Sequence, residues 1–431
     1  MGYQEQYKAK LGTLEGALAL VKSGDTIAIS IFGSEPSSFL SRLHEVADRV
    51  TGVSYWSMLQ MGHYKFMSDP SLKGKIDIIT YFYDDDCRKY HSTGRYSYVP
   101  MNLHSSGVAT LEMRRPTVFV CSVSPMDENG NCTISFDLET SLEWMDNADT
   151  VIFEVNKRQP RVYGETSVSI DRADYIYEAD RPLPVIGEIP ITDTDRAIAE
   201  NVASLVKDGD CIQLGLGGLP NAIGESLMDK KNLGIHTEMI TTSMGRMMRA
   251  GVVNNSRKNF NPGKTIGAFA FGDNDLYELM TENPHVEIRR AAYVNDPFII
   301  AQNDNMVSIN TAIQTDLTGQ ICSESIGFRQ FSGTGGAMDF AFGAYHSKGG
   351  RGIVAFASTA AKGTVSKIQP VLSPGSAVSI PRNLADYVVT EYGIAKLRGR
   401  SIRQRVDALI SIAHPDFREE LRREADKMML W

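Results

Sequence analysis

The sequence predicts an α/β protein of two related, open domains with largely parallel sheets. Three observations lead there. The chain has 431 residues, more than one hydrophobic core usually serves. Apolar runs of strand length alternate with helix-period stretches, the pattern of a parallel sheet. The two halves also share a grammar. "LEGALALVKSGDTIAISIFGSEPSSFLSRL", from Leu14, and "DRAIAENVASLVKDGDCIQLGLGGLPNAIGESL", from Asp195, each read helix, turn, strand, loop, helix. Val21–Asp25 and Val206–Asp210 align without gaps at an offset of 185.

A second echo follows in each half. "TVFVCSVSPMDENGNCTIS" (117–135) has an apolar run, a proline, and Asn129-Gly130 as a hairpin turn. "AAYVNDPFIIAQNDNMVSINTAI" (291–313) reads as its counterpart, with Pro297 and a polar turn from Gln302 to Asn305. The expected domains are residues 1–185 and 186–431. The join falls in "YEADRPLPVIGEIPITDTD" (177–195), where Pro182, Pro184 and Pro190 suit a linker and Asp193 or Asp195 can cap the next helix. The tail, 414–431, reads as an amphipathic helix docked on the body, with His414 in a structural turn before it.

Composition narrows the function classes. Apolar residues are 42% and charged ones 22%, ordinary for a globular protein. The net charge of −8 gives no nucleic-acid footprint. Five cysteines (Cys87, Cys121, Cys132, Cys211, Cys322) without a C-x-x-C pair predict buried, reduced thiols, not disulfides or a zinc site. No run reaches membrane-span length, and the first residues lack the apolar core of a signal peptide. The expectation is a cytoplasmic protein with no metal and no membrane partner.

Open parallel sheets bind ligands outside the carboxyl ends of their strands, so loops after apolar runs are the places to look. In "LGLGGLPNAIGESL" (214–227), Gly215, Gly217 and Gly218 form a loop before a helix starting near Pro220. Backbone N–H groups there can approach an anion. The dinucleotide pattern G-x-G-x-x-G has Pro220 in its third glycine place, so that site and a merely structural turn stay open beside a ligand loop. "FSGTGGAMDFAFGA" (331–344) is a second loop, with Gly333, Gly335, Gly336 and Gly343 pointing to unusual backbone geometry. The strand Ile353 to Phe356 runs into a third, holding Lys362, which can meet a phosphate or stand solvated. "LGIHTEM" (233–239) carries Glu238, which the residues alone leave as an exposed strand-end charge, a ribose ligand or a nucleophile.

At "GLGGLPNAI" (215–223), "GIHTEM" (234–239), "INTAIQTDLTGQICSES" (309–325), "GTGGAMDF" (333–340), "STAAKGTVSKIQP" (358–370) and "VTEYGIAKLRGRSIRQRVDALISIAHPDFR" (389–418), the chain resembles the acetyl-CoA hydrolase/transferase family of CoA-transferases. "VKSGD" and "SPMDENG" (124–130) carry the likeness in the first half, so it covers nearly the whole chain. The resemblance is to the short bacterial branch acting on butyrate and 4-hydroxybutyrate. It implies two CoA-transferase domains, an active site in an interdomain cleft and a homodimer. It implies that Glu238 is the nucleophile. It implies that Gly215, Leu216, Gly217, Gly218 and Leu219 contact CoA, together with Gly333, Gly335, Gly336 and Lys362, and that the loop around Gly336 supplies a backbone donor to the thioester oxygen. CoA and acyl-CoA are then substrates, and no cofactor is permanently bound. Relatives differ at Ser243, where glycine is usual, at Arg246, where an acid is usual, and at Ala337, where Gln is common; these positions bear on acyl preference.

A glutamate of ordinary pKa is already a carboxylate at pH 7, so it needs no histidine base. His236 shares its strand face, for substrate contact or for packing. His63, Tyr64 and His104 are candidates for the acyl side of the cleft, or structural residues. The expected reaction is ping-pong exchange of CoA between acetyl-CoA and a short-chain acid, 4-hydroxybutyrate first and butyrate second. An acetyl-CoA hydrolase and a non-catalytic acyl-CoA-binding protein are the rivals.

Overall fold

Hydrogen bonds repeat the duplication that the sequence shows. In the computed structural model, which describes residues 2–187 and 189–430, Lys22 N–H donates to Asp25 Oδ2 at 2.6 Å and Lys207 N–H to Asp210 Oδ2 at 2.7 Å. The same aspartate side chain thus closes the turn into the first strand of each half.

The chain divides into two compact units, Met1–Ile186 with Gly267–Tyr293, and Gly187–Ile266 with Val294–Trp431. The first holds a sheet of seven strands: β1 (Thr26–Ile29), β2 (Val53–Ser57), β3 (Ile76–Thr80), β4 (Tyr96–Tyr98), β5 (Val118–Val123), β6 (Thr150–Asn156) and β7 (Tyr175–Ala179). They lie in the order β4-β3-β2-β1-β5-β6-β7 and every pairing is parallel. In the second unit, β8 (Cys211–Leu214), β9 (Gly234–Thr241), β10 (Met306–Asn310), β11 (Arg351–Ala355), β12 (Tyr387–Thr390) and β13 (Gly393–Lys396) run in the order β9-β8-β10-β11-β12-β13. These too are parallel, apart from the β12–β13 hairpin. Helices α1 (Asp193–Leu205), α2 (Gly218–Ser226), α3 (Thr242–Arg249), α4 (Ala337–His346) and α5 (Pro415–Lys427) belong to this unit.

The division is not continuous in sequence. Gly267–Tyr293 returns to the first unit, where Leu138 N–H donates to the Ala268 carbonyl at 3.0 Å and the Phe32 ring stacks on Phe269 at 4.3 Å.

The second echo is real but displaced. The run around Pro297 is helical (Pro297–Ile300), with Asp296 capping it through bonds from the Phe298 and Ile299 N–H groups. The counterpart of 124–133 is 313–322, a constant 189 residues on. Asp127 Oδ1 accepts from Asn129 and Asn131 N–H at 3.0 and 2.7 Å; Asp316 Oδ1 accepts from Thr318 and Gln320 N–H at 2.9 and 3.0 Å. Ser124 N–H bonds the Thr133 carbonyl as Ile313 N–H bonds that of Cys322, both at 2.9 Å.

The helix after the linker is capped by Thr192, not by Asp193 or Asp195. Thr192 Oγ1 accepts from Asp195 N–H at 3.1 Å and Asp195 Oδ2 accepts from Thr192 N–H at 3.0 Å, a reciprocal capping box. The final helix α5 is capped by His414, whose ring nitrogen accepts from Asp416 N–H. It docks through Leu421 and Ala425 on a cluster with Phe356, Val388 and Leu409. All five cysteines are buried and free. No helix among the described residues is long and apolar enough to cross a membrane.

Candidate active site

Parallel register fixes where Glu238 stands. β8 pairs with β9 at Ile212↔Ile235, and three residues beyond each partner stand Gly215 and Glu238. The acid therefore sits on its strand level with the start of the first glycine loop. In the first unit, β1 pairs with β2 at Ile27↔Tyr55, which puts Ser30 and Met58 at the matching places. Met58 is a buried core residue. Of the two copies, only the second carries an acid there.

Glu238 is half-buried and held on two sides. Asn295 Nδ2 donates to Glu238 Oε2 at 2.9 Å, and the Gly336 N–H donates to the same carboxylate. Gly336 precedes α4, so this donor is the helix N-terminal N–H expected to favour negative charge. No larger residue fits: a Cβ on Gly336 would lie 2.0 Å from Glu238 Oε2 and 2.3 Å from Asn295 Nδ2. Burial pushes the Glu238 carboxyl up to about 7; the Asn295 amide pulls it down, the Asp339 charge raises it, and the Gly336 N–H lowers it. The premise of a fully ionised carboxylate at pH 7 is thereby corrected. The site takes the acid out of water and gives back only part of the lost solvation. Nor is Glu238 an exposed strand-end charge, since it lies within β9 with its donors in place.

The first glycine loop leads directly into α2, which begins at Gly218, two residues before Pro220. Gly217 has φ 133° and ψ 179°, a conformation reserved for glycine. A Cβ on Gly218 would lie 2.9 Å from the Pro190 carbonyl. Gly215 to Gly218 are half-buried and Leu219 is buried. In the second loop only Gly335 has positive φ, 51°. Gly333 and Gly336 are buried, and Gly343 serves packing: within α4, its Cβ would lie 2.4 Å from Ile300 Cγ2. Lys362 stands exposed at φ 57° on the tip between Thr359–Ala360 and Val365–Ser366. The structure thus brings Gly336 onto Glu238, while Gly215 stands three residues past the last residue of β8 paired with β9.

His236 is fully buried, and its Nε2–H donates to the Val294 carbonyl at 2.8 Å. Ser243 is packed against α2, where a Cβ on Gly224 would lie 2.9 Å from the Ser243 Cβ. Arg246 is exposed on α3, and Ala337 is half-buried at the start of α4. In the first unit, the Tyr64 hydroxyl donates to buried Glu35, His63 pairs with Asp86 at 3.1 Å, and His104 is half-buried. Sequence reasoning missed Asn295 and Asp339. Asn295 precedes an Asp-Pro helix start, an outwardly ordinary turn, yet it is fully buried; that polar residue tucked between two short helices was the available signal. Among the described residues no group of His, Cys, Asp and Glu has metal-site geometry.

Known proteins share this fold. The acetyl-CoA hydrolase/transferase N-terminal domain model matches residues 1–187, and its C-terminal domain model matches 272–425. The chain belongs to the acetyl-CoA hydrolase/transferase family. It is 41% identical to succinyl-CoA:cyclohexane-1-carboxylate CoA transferase of Geobacter metallireducens, over 99% of this chain and 97% of that one. It is 40% identical to the 4-hydroxybutyrate coenzyme A transferase of Clostridium kluyveri, over 99% and 100%. The crystal structure of RipA from Yersinia pestis superposes with a TM-score of 0.93 at 36% identity, covering 100% of both chains. With full-length relatives of this kind, the chain is an enzyme of the CoA-transferase branch of the acetyl-CoA hydrolase/transferase family. The C-terminal match begins at 272, so β9 and its glutamate precede it.

Proposed function

We propose that this enzyme moves CoA between acetyl-CoA and a short-chain carboxylate by ping-pong exchange through Glu238. One observation carries the reading: a single half-buried carboxylate, unmatched in the duplicate, faces a helix-terminal N–H and a buried amide. Glu238 attacks the thioester carbonyl, the C–S bond breaks, and an acyl-glutamyl anhydride forms with CoA thiolate. The thiolate attacks the glutamyl carbonyl, expelling the first carboxylate and leaving a glutamyl-CoA thioester. The acceptor acid reverses both steps and departs as its CoA ester. No water is consumed and no redox partner is needed.

The Gly336 N–H and the Asn295 amide suit the negative charge that develops at the glutamyl oxygen in these steps. A preorganised donor of this kind is commonly worth about 3 kcal/mol in the transition state. Gly215, Leu216, Gly217, Gly218 and Leu219 are proposed to hold CoA, with Gly333, Gly335, Gly336 and Lys362; the exposed ammonium of Lys362 suits a phosphate. We take 4-hydroxybutyrate as the acid, then butyrate, a choice supported by the likeness to 4-hydroxybutyrate coenzyme A transferase, and the family suggests a homodimer. A panel of acids tests the reading. With acetyl-CoA, turnover is expected only when an acceptor acid is present, with 4-hydroxybutyrate or butyrate preferred. CoA release at the same rate without any acid would make the enzyme a hydrolase instead.

A further inference from the structure

We propose that His236 is a positioning residue for the nucleophile, acting through Asn295; this rests on the reading of Glu238 as nucleophile. Side chains two apart on a strand share a face, so His236 and Glu238 project together from β9. Each is tied to the same dipeptide. His236 Nε2–H donates to the Val294 carbonyl at 2.8 Å, and Asn295 Nδ2 donates to Glu238 Oε2 at 2.9 Å. The two bonds form successive rungs between β9 and Val294–Asn295.

The location of that dipeptide explains why a rung is needed. Val294 ends the short helix Ala291–Val294, and Asp296 caps the next one, Pro297–Ile300. Asn295 lies between them. The carbonyls that close a helix lack intrahelical donors, and a buried one needs a partner from elsewhere. Val294, Asn295 and His236 are all fully buried, so water is a poor substitute. The imidazole supplies that donor from the strand that carries the acid. It thereby fixes the backbone from which the Asn295 amide reaches the carboxylate.

The fit leaves the amide little latitude. Gly336 closes the other side so tightly that its missing Cβ would lie 2.3 Å from Asn295 Nδ2. A small displacement of Val294–Asn295 must therefore lengthen the bond to Glu238 or drive the amide into α4. A histidine that merely filled the core would also be buried, but it would not be coupled to Asn295.

A double-mutant cycle separates the two. His236→Phe keeps the bulk and removes the donor; His236→Gln retains an N–H able to reach a carbonyl. His236→Phe is expected to lower kcat about tenfold or more while KM for acetyl-CoA stays within about twofold. The pH midpoint of kcat/KM should rise, because the bond that lowers the Glu238 pKa is loosened. His236→Gln should recover most of the loss. In an Asn295→Ala background, His236→Phe should cost less than about threefold further. Fully additive losses, or an unmoved midpoint in His236→Phe, would overturn the proposal. Should His236→Phe not fold, His236→Asn, too short to span to Val294, takes its place in the same cycle. Glu238→Ala is measured alongside. If it retains exchange, the nucleophile reading fails; if it is inactive and the cycle is additive, only the role of His236 fails.

Discussion

Glu238 is an acid made reluctant to ionise and then partly compensated. With its pKa pushed up to about 7, a large share of this carboxyl is protonated at neutral pH, a form unable to act as the proposed nucleophile. The kcat/KM for acyl-CoA should therefore rise with pH about tenfold per unit below the midpoint and level off above about 7, because that parameter reports the free enzyme. A profile flat from pH 5 to 8 would contradict this. Asn295→Ala removes the largest influence that lowers the pKa, so its midpoint should move upward and its plateau should fall by about tenfold to a hundredfold. The sequence singled out Glu238 as a candidate through family likeness, but not its raised pKa. Burial, the Asn295 amide and the Asp339 charge reach it from residues 57 and 101 positions away in the chain, and pattern reading has no access to such approaches.

At the scale of elements, the glycines that look alike in the sequence do different things. Gly217 satisfies a backbone angle, Gly336 leaves room for a carboxylate, and Gly343 lets α4 approach Ile300. Gly336→Ala should fold but lose activity by at least about a hundredfold, since its Cβ occupies the space of Glu238 Oε2. Gly343→Ala should instead lower stability by about 1 to 3 kcal/mol while activity per folded molecule stays near that of the parent. Thermal melting and assays of both variants check the distinction; equal effects on both readouts would remove it. Spacing placed the first loop correctly between β8 and α2. It could not tell a strained glycine from a packing one, because the difference lies in what each absent Cβ would meet.

Across the whole molecule, duplication organises everything else. The first echo was legible because V-K-x-G-D keeps its letters. The second was misplaced because its shared feature is a hydrogen-bonding aspartate inside different words, "MDENGN" and "TDLTGQ". The structure predicts that Asp127→Ala and Asp316→Ala each cost about 1 to 3 kcal/mol, since each removes the acceptor for two turn N–H groups. Urea unfolding of the two variants tests it, and a change within error in either would count against a shared structural role. The two copies also differ at one matching place: one fold pattern occurs twice, with Met58 in one copy and Glu238 in the other.

The proposed exchange requires that Glu238 become covalently attached to CoA. The most direct measurement is peptide mass spectrometry after brief incubation with acetyl-CoA and acid quenching. The account predicts an increment of CoA less one water on the peptide containing Glu238, absent from Glu238→Gln and discharged by adding an acceptor acid. Active enzyme with no adduct, or an adduct on a different residue that an acceptor acid discharges, would contradict it.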